Sequence, residues 1–175
     1  MSAKKICLCA MFLALGIVLP FVTMNVPVVG KSLLPMHIPV LLGGFVLGPA
    51  YGLLLGVLTP LVRSVLFNSP TMFPSAISMV FELGAYGFFS GLIYWGLFKR
   101  NNNLVCIYTS LIFAMLLGRV IYGIFKIVLS FIQMNEYTLA LFISGAFLNA
   151  IPGIILQLVL IPILVKVINK SKIRV

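Results

Sequence analysis

Six apolar stretches separated by short breaks fill the chain: Ile6–Met24, Pro35–Gly48, Ala50–Phe67, Ser75–Phe98, Leu104–Phe131 and Thr138–Val167. A helix rises about 1.5 Å per residue, so roughly 17–25 apolar residues cross a hydrocarbon core. The stretches approach or exceed that length along the whole chain. The pattern predicts an all-α membrane protein: a single domain, residues 1–175, of six transmembrane helices.

The second stretch is short, and only Gly48-Pro49 separates it from the third. Proline removes a backbone donor and disfavours helix in the residue before it, so Gly48-Pro49-Ala50-Tyr51-Gly52 reads as a tight turn or as a kink in one long helix. Charge separates the two. With six spans and a cytoplasmic N-terminus, Lys4, Lys5, Lys99, Arg100, Lys166, Lys170, Lys172 and Arg174 are all cytoplasmic and only Lys31 lies outside. A single span over 35–67 would invert everything after it and leave Lys4 and Lys5 opposed by most of the other basic residues. The positive-inside rule favours six spans with both termini cytoplasmic.

Composition agrees. Of 175 residues, 62% are hydrophobic and 8% charged, against about 25% charged in an ordinary soluble domain. The net charge of +10 does not point to nucleic acid, because the basic residues sit mainly at the ends of apolar runs. The first stretch follows Lys4 and Lys5 but exceeds the roughly 7–15 residues of a signal-peptide core and lacks a convincing cleavage site, so it reads as the first span. Cys7, Cys9 and Cys106 fall near the cytoplasmic face, where thiols stay reduced, and no Cys/His cluster has metal-ligand spacing. No cofactor is expected.

Small residues recur four apart at Ala10/Ala14, Gly44/Gly48, Gly52/Gly56, Gly87/Gly91 and Ala146/Ala150. Such stripes let helix backbones approach where lipid supplies no hydrophobic drive. Against this apolar background Arg63, Glu82, Arg119 and Lys126 fall inside spans, where a central charge costs at least a few kcal/mol without a partner or a wet cavity. Counting residues places Glu82 and Arg119 roughly 10–18 Å below the outer surface, with Arg63 in the outer half and Asn149 at similar depth. Four helices thus contribute to one chamber open outward. Arg119, Tyr122 and Lys126 share a helix face, and Glu82 and Tyr86 share another. One arginine, Arg63 or Arg119, neutralises Glu82; the remaining positive charge favours an anionic ligand, and Lys126 can also snorkel to the interface. His37 stands at the outer start of the second span, and the loops 25–34 and 68–74 are placed to cover the chamber.

No Gly-rich loop ending in Gly-Lys-Ser/Thr, no Gly-x-Ser-x-Gly elbow and no His-Glu-x-x-His helix occurs, so neither an ATPase nor an enzyme is expected. The segments Ala10-Met11-Phe12-Leu13-Ala14, Leu33–Leu42, Met79–Gly87, Gly118–Gly123 and Ile151–Gln157 together resemble the substrate-binding S component of energy-coupling factor (ECF) transporters, which capture vitamins and related micronutrients in prokaryotes. The Pro35-Met36-His37-Ile38-Pro39 segment is the most distinctive part.

The resemblance implies a multi-pass protein of the prokaryotic plasma membrane whose outward-facing pocket is built by the later helices and outer loops. Its partners would be a membrane T component, docked on the Ala10/Ala14 stripe, and two ATPase subunits. The substrate would be a small vitamin or precursor, held by Arg119, Glu82, Tyr86, Tyr122, Asn149, Arg63, Lys126 and His37. Excess positive charge argues against thiamine and fits pantothenate. A pyridoxine-like ring, with Glu82 at the ring nitrogen and an arginine at the phenolate, and hydroxymethylpyrimidine also fit. The competing classes are a self-sufficient secondary carrier, for which no internal repeat is found, and a structural or assembly protein whose buried charges only hold the bundle.

The charge argument generates a topology test. In a cysteine-free background, Lys31→Cys and Asn102→Cys should react with an impermeant maleimide from opposite sides of the membrane. Labelling of both from one side would contradict six spans.

Overall fold

The computed structural model describes residues 3–24, 33–99, 101, 103–133 and 150–171. Helix α1 covers Ala3–Met24, α2 His37–Leu47, α3 Pro49–Phe67, α4 Ile77–Leu92, α5 Leu104–Gln133 and α6 Ile151–Lys170. Turns of π-helix at Met72–Ala76 and Ile93–Leu97 extend α4 at both ends. Lys31, Arg100, Asn149, Lys172 and Arg174 lie outside the described residues.

Among the described residues five helices are long and apolar enough to cross a membrane, namely α1, α3, α4 with its extensions, α5 and α6. Their outward faces are apolar: Val65 is 70% exposed, Leu97 75% and Phe131 80%. A bilayer accepts such faces and water does not. The second stretch departs from expectation. Its helix is two residues shorter than predicted at the N-terminus, and its 11 residues rise about 16 Å, well short of the hydrocarbon core. Every residue of α2 is buried. Because protein rather than lipid surrounds it, the non-helical turn at 33–36 that leads into it carries no lipid-exposed backbone penalty.

Gly48 breaks the chain between α2 and α3 at φ +97°, a region that side chains disfavour. Pro49 then opens α3, where its missing N–H costs nothing. The break is a reversal and not a kink. A Cβ on Gly52 would lie 2.8 Å from the Gly44 Cα, although a continuous helix would hold those residues about 12 Å apart.

The tightest packing lies between α2, α3 and α4. Along the α3–α4 seam Pro49 faces Gly91, Gly52 faces Gly87 and Gly56 faces Leu83, each glycine pressed on the partner backbone, and Gly44 of α2 meets the same Gly87 carbonyl. Three backbones therefore meet where no side chain intervenes, as expected of small-residue stripes in lipid. The order of contacts makes α3 and α4 antiparallel.

Helices α2 and α4 run parallel, with His37 against Tyr86, the Leu41 carbonyl accepting from Ser90 Oγ, and Phe45 against Tyr94 at successive turns. Trp95 Nε1 donates to the Phe45 carbonyl at 2.9 Å, fastening the end of α2. Helix α5 is antiparallel to α4, with Gly118 on Tyr86 and Phe125 stacked on Phe81. Helix α1 runs alongside α3 through Gly16 with Thr59 and Phe21 with Phe67. Asn169 Nδ2 donates to Tyr94 Oη at 3.0 Å and sets the end of α6 at the Tyr94 level. The first turn of α1 and the last turn of α6 thus lie at one end of the bundle.

Gly87→Ala would drive a methyl group into the Gly52 carbonyl, whereas a Cβ on Gly96 meets nothing within 4 Å. Gly87→Ala should cost about 1–3 kcal/mol or more of stability and Gly96→Ala less than about 0.5. Thermal unfolding in detergent distinguishes them; equal effects would contradict the backbone seam.

Candidate functional site

Glu82 and Tyr86 lie one turn apart on the buried face of α4, 4% and 0% exposed. Tyr86 fits because α5 presents Gly118 there: a Cβ on that residue would collide with the ring. The adjacent Arg119 brings Nη1 to 3.1 Å from Glu82 Oε1. On the other side the first residue of α2, His37, brings Nε2 to 3.6 Å from the same oxygen. The His37 and Tyr86 rings are 5.2 Å apart, and the Arg119 guanidinium carbon lies 5.9 Å from the Tyr86 centroid. Three helices thus converge on one carboxylate.

The cluster is compact but poorly satisfied. The Glu82 Oε1 to Arg119 distance is that of an ion pair, yet it is not aligned as a hydrogen bond, so that oxygen has none. Among the described residues, Arg119 Nε and Nη2, both His37 nitrogens and the Tyr86 hydroxyl also lack a well-formed hydrogen bond. Ordinary buried polar groups are paired, and the exceptions mark functional groups or sites of missing partners. By contrast, the buried hydroxyls of Thr59, Ser90 and Ser110 donate to carbonyls of their own helices and need nothing further.

One polar residue escaped the sequence reading as a site candidate. Gln157 of α6 is fully buried, and neither its amide nitrogen nor its oxygen has a partner among the described residues. It stands twelve residues before Asn169, as Glu82 stands twelve before Tyr94, and the Asn169–Tyr94 bond sets the two helices level. Gln157 therefore lies at the depth of Glu82. The available signal was a single amide in an otherwise apolar run, which the intramembrane charges overshadowed.

A cleft of about 440 Å³ opens above the cluster, with His37 common to both and Arg63, Thr23, Ser69, Ser75 and Met79 among its walls. That volume suits a small molecule. Arg63 does not pair with Glu82. Its Nη1 donates to the Ile17 carbonyl of α1 at 2.6 Å and its guanidinium lies 4.6 Å from the Phe21 centroid. By the α3–α4 register it sits about 9 Å from Glu82 along the bundle.

Lys126 lies 5.7 Å from the Tyr122 ring, farther along α5; both are half-buried. The expected gathering of three cations at one carboxylate is thus resolved into one pair and two separate contacts. Asn149 is outside the described residues. Ala10 and Ala14 are exposed on α1, while Gly44, Gly52, Gly56, Gly87 and Gly91 serve packing inside the bundle. Among the described residues no three His, Cys, Asp or Glu side chains gather as a metal site requires.

No curated protein and no solved structure matches the chain. The family described as ECF transporter, substrate-specific component, matches residues 4–165, which takes in all three helices of the cluster, the cleft and the greater part of α6. A multi-pass helical membrane protein with a polar, under-satisfied centre beneath a small-molecule cleft is consistent with that match, and the chain belongs to the substrate-specific components of ECF transporters.

Proposed function

We propose that this chain is the high-affinity capture subunit of an ECF-type importer in a prokaryotic plasma membrane, for a small water-soluble vitamin or precursor of the pantothenate or pyridoxine/hydroxymethylpyrimidine kind. The observation that carries this reading is the buried cluster of His37, Glu82, Tyr86 and Arg119 under the cleft, within a chain of the substrate-specific family. The cleft end of the bundle faces outward. Substrate enters between the start of α2 and the ends of α1 and α3, meets His37 first, and then reaches Arg119, Tyr86 and Glu82. Tyr122, Lys126, Arg63 and Asn149 complete the walls and mouth of the site.

Energy comes from other subunits: a T component within the membrane and two ATPases. Helix α1 supplies the docking face. Apart from a few residues, it is the most exposed of the long helices, with Met11, Leu15 and Val18 open beside Ala10 and Ala14. A smooth, lipid-facing strip next to bulky apolar side chains suits close approach of another membrane helix.

Two outcomes follow. Cells expressing this chain with a T component and its ATPases should take up the captured vitamin, and ATPase-dead partners should abolish uptake. Uptake by this chain alone, driven by an ion gradient, would contradict the reading. Ala10→Leu and Ala14→Leu should leave the melting temperature nearly unchanged but reduce co-purification of the T component at least tenfold, since the added side chain holds the backbones apart. Unchanged co-purification would place the partner elsewhere.

A further inference from the structure

We propose that Gln157 completes a charge-balanced polar floor, and that the floor recognises an uncharged nitrogen heterocycle through hydrogen bonds in preference to an anion. The proposal rests on the capture-subunit reading and names the substrate class of its site.

Two observations carry it. The first is charge. Arg119 and Glu82 approach to 3.1 Å at 6% and 5% side-chain exposure, so their charges cancel at the floor. Arg63 is engaged at the Ile17 carbonyl and the Phe21 ring, and Lys126 at Tyr122, both away from Glu82. An anion lowered beside the pair would compete with Glu82 for Arg119 and bring a second negative charge into a low-dielectric site, which is expensive. A neutral ring incurs no such cost.

The second observation is hydrogen-bonding capacity. Gln157 is 0% exposed with both amide atoms unpartnered, and it lies level with Glu82. Its amide offers donors and an acceptor side by side; the His37 ring nitrogens add further hydrogen-bonding positions, Arg119 Nε and Nη2 add donors, and Tyr86 can do either. Such a mixture of donors and acceptors suits the edge of an aminopyrimidine or hydroxypyridine, whose ring nitrogens and hydroxyl or amino substituents both accept and donate. Leaving so many groups unpaired is costly for the protein alone, and a ring of this kind would satisfy several at once.

The test uses purified protein in detergent and defined pairs that differ in charge: pyridoxine with 4-pyridoxate, and nicotinamide with nicotinate, together with 4-amino-5-hydroxymethyl-2-methylpyrimidine and pantothenate. Calorimetric titration should show at least one uncharged ring binding, with its carboxylate counterpart or pantothenate at least tenfold weaker. Gln157→Leu should weaken that binding about tenfold or more with the melting temperature unchanged or raised, because it removes an unpaired buried amide at nearly constant volume.

A purely structural Gln157 would instead leave affinity unmoved. Gln157→Glu, which places a negative charge on the floor, should weaken the uncharged ring as well. Tighter binding of an anion, an unaffected Gln157→Leu, or no binding of any uncharged ring overturns the proposal. Tight binding of pantothenate or a carboxylate would overturn it while leaving the capture-subunit reading standing. That reading fails separately, if no T component assembles with the chain.

Discussion

A carboxylate inside a membrane needs a partner, and Glu82 obtains one only if α5 brings Arg119 to it while α2 brings His37. Water cannot share the load at 4% exposure, and an unpaired charge at this depth would cost at least a few kcal/mol. The requirement fixes much of the bundle. Helix α5 must present Gly118 to make room for Tyr86, and α2 must begin where its first side chain reaches the same oxygen. The other side of α4 must be smooth enough for α3 and α2 to press on its backbone. Gly44, Gly52 and Gly87 meet that last condition, and they set the register that puts His37 opposite Tyr86.

Packing and polar pairing are therefore two uses of one helix. The face of α4 with Gly84, Gly87 and Gly91 is given to backbone contact, and the face with Glu82 and Tyr86 to polar chemistry. Apolar exterior and polar centre together leave the protein suited to holding a small molecule within the membrane. The exposed α1 strip and the buried cluster lie on different parts of the bundle. Arg63 links the cleft to α1, since it lines the cleft and donates to the Ile17 carbonyl.

Much of this was legible in the sequence because membranes restrict the options. Charged residues in long apolar runs were rare enough to single out Glu82, Arg119 and Arg63, and glycines four apart announced the seams. Depth along a helix follows from counting, so the meeting of Glu82 with Arg119 was within reach. Which arginine would do so was not, because that depends on helix rotation, and rotation is set by packing at Gly118. Arg63 turned toward α1 for the same kind of reason. The short buried α2 was read as an ordinary span because an apolar helix surrounded by protein has the same composition as one facing lipid. Gln157 was passed over because an amide carries no charge, although burial without partners makes it as conspicuous in space as any of the ions.

The most direct test of this account is a double-mutant cycle on the pair, with Glu82→Gln, Arg119→Met and the two together, read by thermal and denaturant unfolding in detergent. Each single change leaves a buried charge without its partner and should cost about 3–5 kcal/mol, while the double change removes both charges and should recover most of that loss. Additive losses, or single variants as stable as the parent, would contradict a bundle organised around the Glu82–Arg119 contact.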